Sequence, residues 1–286
     1  MKKYLSHLCV LASGVLWGLI GIFNRRLTAA GFSVSSIVLV RNFGSMIVLG
    51  LLFLIKDRSI FRIRWKHVPI FLGTGVVSVL FFTLCYFSCQ KLCSLAVAAV
   101  LLYTSPAFVV ILSAILWKDR ITKKKLIALL LALLGCTFVT GLWSGSASVT
   151  LWGAVLGVAS GLFYGLYSIF GRYALAHYKP FTVTFYTFLF AGLGALAVLR
   201  PAELAAGFAV PGAALTALAL IVVCTVAPYL LYTFGLAGMD SGKAAILASV
   251  EPVTAAVVGV LVFGEPMSVM VLLGLVCILA CVYILK

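Results

Sequence analysis

Two ionisable residues stand where the sequence surrounds them with apolar side chains. Arg41 lies about eight residues into an apolar run from Ser33 to Ile55, and Glu251 lies near the middle of a second run from Ala244 to Phe263. Charges at such depth are costly and usually face a bundle interior or a water-filled path. Arg41 could meet an anion or carboxylate, or pair with Glu251; the structural alternative is an arginine that snorkels or caps carbonyls of neighbouring helices. Glu251 could bind a substrate amine or carry a proton; its structural alternative is a neutral, hydrogen-bonded carboxyl that joins helices. Around these two the sequence spreads Trp17, Tyr86, Tyr103, Tyr164, Tyr167, Tyr229 and Tyr232, all inside apolar runs. A tyrosine hydroxyl removed from water needs a hydrogen-bond partner, so these rings either share a polar cavity or pack between helices with one bond each. The residues expected to contact a ligand are Trp17, Arg41, Tyr86, Tyr103, Tyr164, Tyr232 and Glu251. Pro106 and Pro252 interrupt their helices and free the carbonyls of Leu102 and Ala248; a kink is the expected consequence.

The elements that must hold these residues follow from composition. The chain has 286 residues, 64% hydrophobic and 9% charged, against about 45–50% and about 25% in soluble domains. A folded chain of this size cannot hide that much apolar surface from water. The apolar runs Leu5–Phe23, Ser33–Ile55, Val68–Phe87, Leu95–Trp117, Leu126–Leu142, Leu151–Phe170, Phe181–Leu199, Ala213–Gly235, Ala244–Phe263 and Val269–Leu285 predict ten transmembrane helices. Continuous apolarity over about 20 residues fits helices rather than barrel strands, which alternate in polarity. The N-terminal run is expected to be a retained helix rather than a cleaved leader, because the repeat described below needs it.

The net charge of +15 would suggest nucleic acid on a soluble protein, but its distribution argues otherwise. If the ten helices alternate, 16 Lys and Arg fall on one side, four (Arg25, Arg26, Lys91 and Arg200) on the other, and Arg41 lies within a span. Short loops keep positive charge on the cytoplasmic side. Both termini are therefore expected in the cytoplasm, nucleic-acid binding is excluded, and the lipid bilayer is the expected environment.

The sequence also matches itself at an offset of 146–147 residues. Ser13-Gly14 falls on Ser160-Gly161, Trp17 on Tyr164, Gly18 on Gly165, Phe23 on Phe170, Arg25 on Arg172 and Tyr86 on Tyr232. Further on, Ala98 to Leu101 fall on Ala244 to Leu247, Pro106 on Pro252, Asp119 on Glu265 and Thr122 on Ser268. The expected division is 1–145 and 146–286, each with five helices, and an odd count makes the second copy cross the membrane in the opposite sense. Loop charge agrees: two first-half loops carry ten Lys and Arg, and their counterparts carry one. Inverted repeats of this kind build transporters with a midplane site between the halves. The expected fold is thus an all-α membrane protein of ten transmembrane helices in two inverted five-helix repeats around a central cavity.

Four stretches resemble the drug/metabolite transporter superfamily, and within it the EamA-type transporters: Ser13-Gly14-x-x-Trp17-Gly18; Tyr86 followed by Ser94 through Pro106; Trp117-Lys118-Asp119-Arg120-Ile121-Thr122; and Glu251-Pro252-Val253 through Phe263-Gly264-Glu265-Pro266. Asp119 departs from the pattern, in which a Glu is usual. The resemblance spans the chain and implies two inverted halves and export of small metabolites or amino acids.

Other features read as structure. Gly153, Gly157, Gly161 and Gly165, echoed by Gly14 and Gly18, form a small-residue seam. The eight cysteines lack metal-ligand spacing, and no metal or cofactor is expected. His7, His67 and His177 lie near membrane edges without a catalytic constellation, and no phosphate-binding glycine loop points to ATP. Asp240 reads as a helix cap. The expected function is secondary transport of a small amphipathic metabolite, an amino acid or amine, by alternating access, with protons as the candidate coupling ion, a homodimer allowed, and residence in the inner or plasma membrane. A membrane-embedded enzyme acting on a lipid-linked substrate would need paired acids, histidines or metal ligands at one membrane face. A scaffold or sensor would leave the repeat without a purpose.

Overall fold

The computed structural model describes residues 2–142 and 148–285. The expected division between 145 and 146 therefore lies outside the described residues. Each of the ten apolar runs is helical, and no strand occurs among the described residues. Seven helices are long and apolar enough to cross a membrane: α1 (Tyr4–Ala29), α2 (Val34–Lys56), α3 (Trp65–Leu92), α4 (Leu95–Trp117), α6 (Leu151–Leu175), α9 (Ala213–Leu236) and α10 (Ser241–Phe263). Three others are shorter: α5 (Lys123–Val139), α7 (Pro180–Ala195) and α11 (Val269–Leu285). At 1.5 Å per residue they rise about 25 Å, short of a hydrocarbon core about 30 Å thick. Seven full-length spans thus stand where ten were expected. A small helix, α8 (Pro201–Ala209), precedes α9.

Local chemistry sets the helix ends. Ser33, Ser94, Thr122, Thr150 and Asp240 each accept a hydrogen bond from the backbone N–H three residues on, as N-caps do. Asp240 is therefore the cap its position suggested. At their far ends α4 and α10 stop in the same way. Lys118 (φ 56°) and Gly264 (φ 67°) both take the left-handed conformation that closes a helix, and they are 146 residues apart. Lys118 bears that conformation without glycine's freedom.

Packing follows the small residues. Helix α6 runs along α3 and α4, and α1 runs along α9 and α10. A Cβ at Gly161 would stand 3.1 Å from the Leu102 carbonyl oxygen, and one at Gly14 would stand 3.0 Å from that of Ala248. The two seams are 147 residues apart and are used alike. Helix α5 packs on α11 through a matching approach of Gly135 to the Gly274 carbonyl oxygen.

The helices are interrupted where α4 and α10 meet those seams. Two residues leave the regular helical pattern just before each proline, with dihedrals still close to helical. The regular pattern stops at Leu102 and resumes at Ser105, and it stops at Leu247 and resumes at Val250. The Ala248 carbonyl does not stay free; it accepts from the Glu251 N–H at 3.0 Å. Helices α3 and α9 contain π-helical stretches at Gly73–Phe81 and Val222–Val226, also at corresponding positions.

Contacts between loops define two ends of the bundle. At the first, the turn at 237–240 lies over Ser6, the α2–α3 loop meets Tyr178, and Asp119 meets Arg172. This end carries the lysine- and arginine-rich loops and is called the basic face below. At the second, Arg25 meets Glu265, Ser33 meets Glu203 and Phe32 packs on Phe208.

Candidate functional site

A cavity of about 1010 Å³ enters the bundle from the second face, at the upper end of the size of ligand pockets. Arg25, Gln90 and Glu265 stand on its lining toward the mouth, and Trp17, Arg41, Phe82, Tyr164, Tyr229 and Glu251 line its interior. Six of the seven residues singled out in the sequence share it: Trp17, Arg41, Tyr86, Tyr103, Tyr164 and Glu251. Pro252 lines it too, whereas Pro106 does not.

Tyr232 is the exception. It lies below the cavity in a small packed gap of about 20 Å³ shared with Ser168 and Tyr167. Its hydroxyl is 2.7 Å from Ser168 Oγ, and it is only 4% exposed. Tyr229, one turn away, occupies the lining instead. Both project from the same side of α9, three residues apart, and both rings meet Trp17; they differ by one turn of depth along the helix, which hydrophobic periodicity does not report. Asn24 and Thr140 join the lining as well. Only their spatial neighbours mark them, since each stands near a helix end.

Glu251 is held at the interruption in α10. The Tyr164 hydroxyl donates to its Oε2 at 3.1 Å. Tyr103 and Arg41 also lie close enough to act on it electrostatically. Arg41 Nε and Asn24 Oδ1 have no hydrogen-bond partner among the described residues. A cavity that presents an unpaired guanidinium N–H, an amide oxygen and a carboxyl among aromatic walls can engage opposite charges and a flat apolar body together.

The cavity floor is aromatic. The Trp17 ring meets Tyr229 at 5.2 Å, Tyr232 at 5.5 Å and Tyr164 at 6.4 Å between centroids. Beneath it Tyr167 bonds Thr233 at 2.7 Å. Closer to the basic face, Asp119 grips Arg172 through contacts of 2.5 and 3.3 Å, and Lys125 reaches Asp240 at 3.0 Å. The Arg172 guanidinium lies 4.3 Å over the Trp117 ring. Asp240, outside the spans, is held below its ordinary value: partial burial pushes it up, but the hydrogen bond donated by the Lys243 N–H and the positive charge of Lys125 outweigh that. The basic face is thus closed by charged contacts, and the second face is open.

The same trio occurs at both faces. Arg25 pairs with Glu265 at 2.7 Å and lies 3.8 Å over the Phe263 ring, just as Arg172 pairs with Asp119 over Trp117. Each member of one trio is 146 or 147 residues from its counterpart. They differ in exposure. The Arg172 and Asp119 side chains are 29% and 17% exposed, and those of Arg25 and Glu265 are 58% and 51% exposed. The matching offsets of Arg25 with Arg172 and Asp119 with Glu265 were visible in the sequence; the pairing across the chain was not.

Membrane-length apolar helices around a deep polar cavity define a multi-pass membrane transporter, not an enzyme. The EamA-like transporter family model matches residues 5–141 and again 151–286, so the chain belongs to that family and holds two copies of its repeat. A protein of Archaeoglobus fulgidus described as an uncharacterized transporter is 33% identical over 96% of this chain and 94% of its own length. A protein of Salmonella typhimurium described as an uncharacterized inner membrane transporter is 28% identical over 97% and 93%. The pseudopaline exporter of Pseudomonas aeruginosa is 28% identical over 66% and 67%. A solved crystal structure, 19% identical, superposes with a TM-score of 0.80 over 98% of this chain and 95% of its own, which establishes the fold.

Proposed function

We propose that the protein exports a small amphipathic metabolite, an amino acid or amine, by alternating access between two inverted five-helix halves, 1–145 and 146–286. On this reading all ten helical segments cross the bilayer, with α5, α7 and α11 as the short ones. Both termini and the basic face are cytoplasmic, which the 16 Lys and Arg assigned to that side support. The open cavity then faces outward.

The observation that carries the proposal is the cavity holding Arg41 and Glu251, open at one end and closed by charged contacts at the other. Trp17, Tyr86, Tyr103, Tyr164 and Tyr229 form its walls, and Tyr232 supports the floor beneath them. Glu251 exchanges a proton for cargo, its carboxyl held by Tyr164. Arg41 offers its unpaired N–H to the cargo's anionic group. The matched trios support the inverted relation, because the same contact recurs at opposite ends with opposite exposure. A relative named as an exporter supports the direction.

Purified protein in liposomes tests the reading, after a thermal-shift screen of amino acids and amines identifies a stabilising ligand. Wild-type protein should accumulate that ligand against a pH gradient. Glu251→Gln should bind it and exchange it between equal pools, yet fail to couple to the gradient. Full gradient-driven uptake by Glu251→Gln refutes the proton role, and the absence of flux for every stabilising ligand refutes transport through this cavity.

A further inference from the structure

Away from the transport cavity, a second hollow of about 480 Å³ opens on the basic face between the α2–α3 loop and the end of α6. Arg62, Arg64, His67, His177 and Tyr178 line it, and no acidic residue does. The backbone at Arg62 and Arg64 is extended, and residues two apart on an extended chain project to the same side. Neither guanidinium forms an ion pair among the described residues. Asp57, the acid of that loop, accepts instead from the Ser59 N–H at 3.0 Å.

The imidazoles of His67 and His177 stack face to face, 4.5 Å apart and 21° from parallel. His67 is 9% exposed. Its Nδ1 meets the Tyr178 hydroxyl at 2.8 Å, and the same hydroxyl accepts from the Arg64 N–H at 2.9 Å. When the phenol donates to Nδ1, Nε2 carries the ring proton and becomes a donor. Two guanidinium forks and two imidazoles around a hollow with no carboxylate bring several donors together with no anion among the lining residues. Beside them Trp65 is 90% exposed, an aromatic placed as interfacial rings are at headgroup depth.

We propose that this hollow binds a phosphate-bearing anion, held by Arg62 and Arg64 and by the paired imidazoles of His67 and His177. The anion bridges loops from both repeats. The chemistry is that of a phosphate group, whether it comes from a lipid headgroup or from a soluble phosphate, and it is independent of the transported cargo.

The chain has three histidines, so an imidazole NMR spectrum of full-length, histidine-labelled protein contains His67, His177 and His7 as a remote control. Inorganic phosphate, added to protein in a neutral detergent, should shift His67 and His177 saturably and leave His7 in place, while chloride at equal ionic strength should not. Nanodiscs of phosphatidylcholine with and without phosphatidic acid form the second arm. A shift in either arm supports the site, and the arm that responds identifies the source. The double variant Arg62→Gln, Arg64→Gln should weaken the response about tenfold or more, as loss of a charge-assisted contact does; Arg62→Lys with Arg64→Lys should retain most of it. No saturable shift in either arm, equal shifts at all three histidines, or undiminished affinity in the double glutamine variant overturns the proposal.

Discussion

Replacing Asp119 with Asn should move the protein away from the state in which its basic face is closed. The two hydrogen bonds to Arg172, at 2.5 and 3.3 Å, join side chains 29% and 17% exposed. A pair so placed falls between an exposed ion pair, worth about 0–1 kcal/mol, and a charge-assisted hydrogen bond, worth about 1.5–3 kcal/mol, so about 1–2 kcal/mol is reasonable. If the opposite state exposes this pair as Arg25 and Glu265 are exposed here, 58% and 51%, it is worth about 0.5 kcal/mol there. The difference, about 1 kcal/mol, changes the ratio of states about fivefold. Hydrogen–deuterium exchange reads this directly. Asp119→Asn should raise exchange around 117–126 and 237–245 and lower it around 24–30 and 262–268. Glu265→Gln should do the reverse if, as the proposed alternation requires, the other state buries the Arg25–Glu265 pair. Exchanging the partners, Asp119→Arg with Arg172→Asp, should restore the wild-type pattern. If Asp119→Asn and Glu265→Gln move exchange in the same direction, or if the exchanged pair fails to restore it, the two trios are not alternating contacts.

Three further outcomes follow from the packing and the site. Gly18→Leu should destabilise the protein severely, since even a Cβ there would stand 2.7 Å from the Glu251 carbonyl oxygen; overpacking costs typically about 1–3 kcal/mol, and a melting temperature equal to wild type would refute the seam. Tyr164→Phe removes the hydroxyl that donates to Glu251 and should weaken ligand binding by about tenfold or less without lowering the melting temperature much, as measured by ligand-dependent thermal shift. Glu203 is held below its ordinary value of 4.5 by hydrogen bonds from Ser33, chiefly through its side chain, and from Ser36. A lowered carboxyl contributes stability that is present above 4.5 and is lost as pH falls through the folded value. Exchange protection of 33–36 and 201–209 should therefore persist to pH 4.5 and fall below it, whereas Glu203→Gln should lack that transition; an unchanged transition in the variant refutes the assignment.

Much of the architecture was legible because bilayer thickness and backbone hydrogen bonding leave few options. Apolar runs had to be helices, Asp240 marked the start of one, and the 146–147 offset exposed two copies. Six of the seven predicted site residues share one cavity because a charge or a hydroxyl in an apolar run has few other places to go. The misplacement of Tyr232 has a specific cause. Tyr229 and Tyr232 both point inward from α9, so which of them reaches the cavity is set by depth along the helix, which periodicity does not report, and the π-helical stretch Val222–Val226 just before them shifts that depth. Pro106 and Pro252 were legible as interruptions, but whether a proline bends or breaks a helix depends on neighbours that accept and donate around it. The histidines looked unremarkable because 110 residues separate His67 from His177.

By itself the amino-acid sequence determined a membrane-embedded helical protein, its duplication, and the short list of polar residues that must face one another rather than lipid, since each follows from the cost of removing polar groups from water. Only the tertiary structure decided which end of the cavity is open, which tyrosine lines it, and which of the two matched Arg–acid–aromatic trios is buried. Those are relations between helices distant in the chain. Two copies with the same residues and the same offset can differ in exposure only through how the halves are packed, and no local pattern records that choice.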